Sequence, residues 1–231
     1  MPEDNAAMRI DELEVDNRRL RRLLDQRDAP GELRHRLRNT VAMLRTIIRK
    51  SARTERDFDT YVGHLEDRLD ALTRAHAAAD ERGWVELHDL LADELLYYGA
   101  SDGERAILSG PAIDLQPRAG QVLGLAIHEL AVNAVEHGAL GTSVGRVEVK
   151  WELSGVQQEP WLTLDWREIS SATPPGPSRE GFGTEVLTRT LAYELKAETN
   201  VTYDPEGLRC TIRFPFPERI GRVGGDRTIA A

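Results

Sequence analysis

The amino-acid sequence predicts an α+β protein in which an N-terminal helical hairpin forms a four-helix bundle in a dimer and an α/β sandwich follows it. Up to residue 82, apolar residues recur every three or four positions, which is the period of an amphipathic helix. Beyond Gly83, helical stretches alternate with runs in which every second residue is apolar, which is the period of a strand. These runs include two adjacent pairs and no regular strand-helix-strand repeat, so helices are expected on one face of a mixed sheet.

Residues 1–28 are predicted to form a short coiled-coil or helical lead-in. Their apolar positions alternate between spacings of three and four, and Asn17 occupies an a position, where a polar residue favours a parallel pair. The repeat covers barely two heptads, so a short solvated amphipathic helix explains it almost equally well.

Residues 29–82 are predicted to form a helical hairpin around the polar segment SARTERD. Its two apolar stripes are Leu33, Leu37, Val41, Leu44 and Ile48, then Phe58, Val62, Leu65, Leu69 and Leu72. Two helices alone bury little apolar surface, so the hairpin is expected to pair with a second copy and make the protein a homodimer.

Residues 83–217 are predicted to form the α/β domain. Helices are expected at 88–98, 118–137 and 184–195, and strands at 106–109, 146–153, 161–168, 198–203 and 208–214. The turn signal DPEG joins the last two strands as a hairpin. The stretch SSATPPGPSREGFG is expected to be a mobile lid, and residues 218–231 a disordered tail.

Composition excludes several classes of function. The formal net charge of −9 argues against non-specific binding to nucleic acid or anionic lipid. No apolar run approaches the roughly 18 residues that span a bilayer, and the start MPEDNAAM lacks the features of a signal peptide. A cytoplasmic protein without membrane insertion is therefore expected. The single cysteine, Cys210, rules out an internal disulfide and is expected to fill space in a strand.

His35 stands in the basic segment ELRHRLRN, residues 32–39. At about 100° per residue it lies almost opposite the apolar stripe of its helix, so it should face solvent with Arg38 and Asn39 on neighbouring positions. Surrounding positive charge disfavours the imidazolium, and a neutral imidazole is a nucleophile. Taken alone, the feature is better explained as an incidental surface histidine.

The segment GLAIHELAVNAVEHGAL, residues 124–140, is predicted to be a helix with a polar face beside its buried stripe. Glu129, Asn133 and His137 recur every four positions on this face. A carboxylate and a carboxamide supply the oxygen ligands that Mg²⁺ takes when it is shared with phosphates. His128 lies on a different face, so a structural role is expected for it.

Two further motifs, WRE and GFGT, could contact a nucleotide. Glu168 ends the apolar face of its strand, where a purine amine is one candidate donor to a buried carboxylate; it is about as well explained as the first exposed residue after the strand. Gly181 and Gly183 precede a helix that starts near Thr184, and glycines together with a helix start favour phosphate binding. This glycine pattern is weak evidence by itself.

In their order along the chain, these four motifs resemble the HWE class of sensor histidine kinases, whose letters correspond here to His128, Trp166 and Glu168. The resemblance covers about residues 32–216 and implies a dimerisation and phosphoacceptor hairpin followed by a Bergerat-type (GHKL) ATP-binding domain. It implies that His35 is the phosphoacceptor, that Arg38, Asn39 and Glu129 are catalytic residues with it, and that Glu129 and Asn133 bind Mg²⁺ through ATP. The nucleotide-binding residues that it implies are Asn133, His137, Trp166, Glu168, Gly181, Phe182, Gly183 and Thr184.

The resemblance also implies a reaction and partners. The protein would autophosphorylate His35 from ATP and pass the phosphoryl group to an aspartate of a response regulator receiver domain, while an upstream partner would supply the signal. The alternative is a non-catalytic dimeric histidine phosphotransfer or docking protein with a degenerate ATP site, which loss of Asn133 or of the glycines would favour. A protein serine kinase of the anti-sigma type explains neither the hairpin nor its exposed histidine.

Overall fold

The computed structural model describes residues 38, 40, 41, 44, 45, 47 and 48, then 58–155, 160–170, 182–205 and 207–224. The chain divides into two compact units, Met1–Asp70 and Ala71–Ala231. Several expectations fall outside the described residues and stay predictions: the lead-in at 1–28, Leu33, Leu37 and the SARTERD turn of the hairpin, the phosphoacceptor His35 with Asn39, residues 171–181 of the lid with Gly181, and residues 225–231 of the tail.

In the first unit, the described residues between 38 and 48 are helical, and Val41 and Ile47 are buried. Helix α1 (Phe58–Arg82) carries the second predicted stripe. Asp59 stands in its first turn, where a carboxylate interacts favourably with the helix dipole. The positive φ of 74° at Gly83 ends the helix in a conformation that glycine adopts without strain.

Beyond the end of α1, the described residues of the second unit form eight strands and four short or medium helices. The strands are β1 (Val85–Glu86), β2 (Ala106–Ser109), β3 (Ile113–Leu115), β4 (Arg146–Ser154), β5 (Trp161–Ile169), β6 (Glu198–Asp204), β7 (Gly207–Pro215) and β8 (Gly221–Val223). The helices are α2 (Leu87–Tyr97), α3 (Pro117–Glu136), α4 (Phe182–Glu185) and α5 (Leu191–Leu195), with a 3-10 turn at Ala139–Gly141 and a π turn at Val186–Thr190.

The strands form a mixed five-stranded sheet, ordered β2-β4-β5-β7-β6, and a three-stranded sheet, ordered β1-β3-β8. Strand β2 runs parallel to β4, and the other neighbours are antiparallel. Along β5 and β7 every second residue is buried, because successive side chains of a strand point to opposite faces. Helices α2, α3 and α5 pack with the buried face to form the core. The predicted arrangement of helices on one face of a mixed sheet is confirmed.

The three-stranded sheet was not predicted, since strands of two or three residues are too short to show a period of two. Its last strand corrects the expectation of a disordered tail from residue 218. Strand β8 pairs with β3, Ile113 opposite Val223. The Arg222 guanidinium donates to Asp114 at 3.1 Å and lies 4.2 Å from the centre of the Trp84 ring. Residues 218–224 are thus folded onto the domain.

Within the described residues, no helix combines the length and the apolar composition that crossing a bilayer requires.

Candidate functional site

Helix α3 presents a buried stripe and a polar face side by side. The four residues predicted for the stripe, Leu123, Ile127, Leu130 and Ala134, are fully buried. Glu129 on the adjoining face is also buried, Asn133 is half-buried, and His137 is the exposed residue that ends the helix. Pro117 stands at the start of α3, where its missing N–H leaves no hydrogen bond unmade.

The first turn of α4 lies against the polar face of α3. A methyl group at Gly183 would lie 3.1 Å from Oε2 of Glu129 and 3.5 Å from Nδ2 of Asn133. A side chain at this position would therefore crowd the two polar groups. The neighbouring Phe182 is buried, while Thr184 is exposed. Three of the predicted site residues, Glu129, Asn133 and Gly183, are thus brought together.

Oxygen atoms of Glu129 and Asn133 are of the hard type that Mg²⁺ prefers. In the described ranges, no group of three or more His, Cys, Asp or Glu side chains could hold a metal ion by itself. An ion bound here would have to share oxygen ligands with another molecule, as Mg²⁺ does in nucleotide sites. The residues present fit that kind of ion and not a closed, all-protein metal cage.

Glu168 is a buried carboxylate and not the first exposed residue after its strand. It is 2% exposed and lies on the inward face of β5 with Trp166, Leu164 and Leu162. Its Oε2 accepts a hydrogen bond of 2.8 Å from the Ala139 N–H. Burial raises the pKa of Glu168, and this outweighs the opposing effects of the Ala139 N–H and the Trp166 indole.

Two neighbours of Glu168 leave it room because they are glycines. A Cβ at Gly138 would overlap Oε2 of Glu168, and a Cβ at Gly207 would overlap its backbone oxygen. Trp166 is fully buried beside Glu168. Among the described residues, no acceptor lies in hydrogen-bonding geometry to its Nε1–H. The immediate surroundings of the Glu168 carboxylate therefore include a buried tryptophan and two glycines.

The loop that follows α3, residues 138–145, forms one hydrogen-bonded unit. The Thr142 hydroxyl donates to the Ala139 carbonyl at 3.0 Å and accepts from the Gly145 N–H at 3.1 Å. Ala139, which donates to Glu168, belongs to the same unit. The end of α3 and the end of β5 are thereby tied together.

His128 faces away from Glu129 into a buried charged network. It is 1% exposed, and its Nδ1 lies 2.8 Å from Oε1 of Glu94. Arg74 donates to the other oxygen of Glu94 at 2.7 Å, and the Tyr98 hydroxyl lies 3.3 Å from the same Nδ1. Burial alone would raise the pKa of Glu94, but hydrogen bonds and charge from His128 and Arg74 lower it below its ordinary value. The structural role expected for His128 agrees with this geometry.

Sequence reasoning did not identify Glu94 as the partner of His128, or Arg74 as the partner of Glu94. The available signal was the pair of acidic residues, Asp93 and Glu94, in the otherwise apolar segment LADELLYY. Arg38, three positions after His35, is helical and exposed. A cavity of about 420 Å³ opens elsewhere, on the sheet face that bears Lys150, Asp165 and Arg209, away from Glu129 and Asn133.

Comparisons with known proteins identify relatives of the chain. The family model described as HWE histidine kinase matches residues 32–112. The chain is 34% identical, over 188 residues, to a blue-light-activated histidine kinase of Rhizobium johnstonii; the match covers 80% of this chain and 52% of that protein. It is 35% identical, over 197 residues, to blue-light-activated histidine kinase 1 of Erythrobacter litoralis, with coverage of 82% and 53%. The chain thus spans about half the length of these curated relatives.

Solved structures show the same fold. The histidine kinase domain of the Erythrobacter litoralis EL346 blue-light activated histidine kinase superposes with a TM-score of 0.54 at 21% identity, covering 88% of this chain and 95% of that domain. The longer structure of the EL346 protein gives a TM-score of 0.58 at 19% identity, covering 82% of this chain and 62% of that one.

Proposed function

The chain belongs to the HWE histidine kinase family, and from this premise we propose that it is a protein-histidine kinase that transfers the γ-phosphoryl group of ATP to His35. The observation that carries the proposal is the convergence of Glu129, Asn133 and Gly183 beside the loop that holds Glu168. These groups are chemically suited to bind the phosphates and the base of a nucleotide. The polar cluster suits Mg²⁺ and phosphates, and the buried carboxylate suits the amine of adenine.

The adenine end is assigned to Glu168. A carboxylate that is buried among apolar groups needs donors, and the Ala139 N–H is one of them. The exocyclic amine of adenine is a donor of the right kind, whereas the carbonyl that guanine carries at that position is an acceptor. We therefore expect the site to prefer ATP to GTP.

The phosphate end is assigned to Glu129, Asn133 and the start of α4. Mg²⁺, when bound, would neutralise charge on the phosphates. Asn133 and Glu129 would orient the ion through their side-chain oxygens, and the absence of a side chain at Gly183 would let the phosphates approach the backbone. Phosphoryl transfer requires mainly such positioning and charge stabilisation from the protein.

In the proposed reaction, a neutral nitrogen of the His35 imidazole attacks the γ-phosphorus. The bond from that phosphorus to the oxygen bridging to the β-phosphate breaks, ADP leaves, and the proton on the other ring nitrogen passes to solvent. The phosphoryl group is then passed to an aspartate of a response regulator. We further propose that the hairpin makes the kinase a homodimer, that it acts in the cytoplasm, and that an upstream partner supplies the signal. The blue light named for the relatives is a property of those proteins.

Labelling with ATP that carries radioactive γ-phosphate tests the proposal. In the presence of Mg²⁺, the wild-type chain should become labelled, and His35→Gln and Asn133→Ala should not. Asn200→Ala, an exposed asparagine on β6, is the matched control and should be labelled like the wild type. An unlabelled wild type would overturn the proposal. Labelling of His35→Gln equal to the wild type would show that another residue is the acceptor.

A further inference from the structure

Arg105, just before β2, reaches three backbone carbonyl groups of the loop 138–145. Its Nε donates to the Gly145 oxygen at 3.1 Å, and its Nη2 donates to the Leu140 oxygen at 3.1 Å and to the Thr142 oxygen at 2.5 Å. A guanidinium carries five N–H donors in one plane, so a single side chain can hold several carbonyls in a fixed arrangement. The residue is half-buried. Among the described residues it makes no ion pair with a carboxylate, so these carbonyls are its partners.

The backbone of Arg105 holds the far end of the same loop. Its carbonyl accepts from the Val147 N–H at 2.9 Å, next to the start of β4. Side chain and backbone together therefore fix the loop where it leaves α3 and where it enters the sheet. A carbonyl that loses its donor in a half-buried loop is left partly desolvated, which is unfavourable unless the loop moves toward water.

The fixed loop in turn positions Ala139. Thr142 links the carbonyl of Ala139 to the N–H of Gly145 through its hydroxyl, and Arg105 grips the carbonyls of both Thr142 and Gly145. The N–H of Ala139 is the loop's hydrogen bond to Glu168. A displacement of the loop would lengthen that bond and free the carboxylate to turn.

We propose that Arg105 is a positioning residue for adenine-nucleotide binding, acting through the loop 138–145 and the Ala139 N–H on the orientation of Glu168. The inference rests on the proposed function, because it concerns how the same site recognises the base of ATP. Arg105 touches neither the nucleotide nor the reacting atoms. Its effect is on affinity for adenine and on discrimination against guanine, and not on the polar cluster of Glu129 and Asn133.

A purely structural role makes a different prediction. If Arg105 only stabilised the fold, its loss would lower the free energy of unfolding but leave the selectivity of the folded protein for ATP over GTP unchanged. A positioning role changes the selectivity as well, because an improperly oriented carboxylate cannot distinguish an amine from a carbonyl. The ratio of the two affinities is therefore the deciding measurement.

The experiment compares the 231-residue wild-type chain with Arg105→Met, Arg105→Lys and the control Arg146→Met. Arg146 is an exposed neighbour at the start of β4 that pairs with Glu148. Binding of Mg·ATP and Mg·GTP is measured by titration. Arg105→Met should bind ATP about tenfold more weakly, as expected when one charge-assisted hydrogen bond to Glu168 is lost, with GTP affinity changed much less. Arg105→Lys should lie between, since an ammonium cannot reproduce the planar fork, and Arg146→Met should match the wild type.

A second readout requires no nucleotide. Hydrogen exchange followed by NMR should show the Ala139 amide losing protection in Arg105→Met, while the Ile212 amide in the interior strand β7 keeps it. Unchanged protection at Ala139, or an unchanged ATP to GTP ratio in a wild type that binds ATP, overturns the inference and leaves the proposed function standing. A wild type that fails to bind Mg·ATP overturns the proposed function and the nucleotide role of Arg105 with it.

Discussion

Replacing Gly138 by alanine perturbs the carboxylate of Glu168 with a single methyl group. The φ of Gly138 is −123°, which alanine adopts freely, so the effect is steric and not conformational. The added Cβ would overlap Oε2 of Glu168 and lie 3.0 Å from Cα of Ala134. Because the Ala134 contact is to helix backbone, the side-chain end of Glu168 is the part that must move. It would leave the Ala139 N–H.

The hydrogen bond that is lost has a charged acceptor, and such bonds contribute about 1.5 to 3 kcal/mol. If that free energy is lost from binding, the affinity for Mg·ATP should fall about tenfold to a hundredfold. The free energy of unfolding should change by less than about 2 kcal/mol, since the flexible end of one side chain relocates and alanine restricts the unfolded chain more than glycine does.

The assay pairs titration of Mg·ATP with urea unfolding of the same preparations. Weak binding with an unfolding midpoint close to that of the wild type is the expected pattern. An affinity within twofold of the wild type would falsify the assignment of Glu168 to the adenine end. A large loss of stability would instead show that α3 and not Glu168 absorbs the methyl group.

Two further substitutions address stability. Glu94→Gln removes the charge between His128 and Arg74 and should lower the free energy of unfolding at pH 7, measured in urea, by about 2 kcal/mol, since the partly exposed Arg74 guanidinium loses its charged partner. The pKa of Glu94 is lowered in the folded state, so its contribution to the free energy of unfolding is fully present above the unfolded pKa of about 4.3 and is lost as the pH falls through the folded value. This loss of stability in acid should be absent in Glu94→Gln. A pH profile of stability identical to that of the wild type would refute the charged network. Gly63→Ala, inside α1 with no atom within 4 Å of the new Cβ, should raise stability by about 1 kcal/mol in the same assay, whereas destabilisation would show that this face of α1 is covered.

Much of the second unit could be predicted because its elements are long enough to show a period. The strand pattern of β5 led to the inward set that ends at Glu168, and the helical pattern of α3 led to its buried stripe. The sequence could not decide whether Glu168 is buried or exposed. The last inward-facing residue of a strand is buried only if a loop from elsewhere in the chain covers it, and the strand pattern does not show such a loop. Here the loop at Ala139 covers it.

Contacts between residues that are distant in the sequence are harder to predict than helices and strands. Arg105, Glu94 and Arg74 each bind a group at least 20 positions away, and no local spacing links the members of such pairs. Gly138 and Gly207 are likewise required because a Cβ at either position would overlap atoms of Glu168, which is distant in the sequence. The predicted identity of the nucleotide residues came from the order of four motifs, and local pattern alone would not have supplied it.

The three-stranded sheet has a consequence for how the second unit folds. Residues 113 and 223, more than a hundred positions apart, meet across β3 and β8. Pairing over such a distance carries the entropy cost of closing a long loop, so it is expected to form after the local hairpins of the large sheet. As a ribosome extends the chain, α3, β4 and β5 emerge well before β8. The proposed nucleotide-binding residues would thus be assembled while β3 still exposes an unpaired edge. Strand β8 would later close that edge and so prevent misassociation.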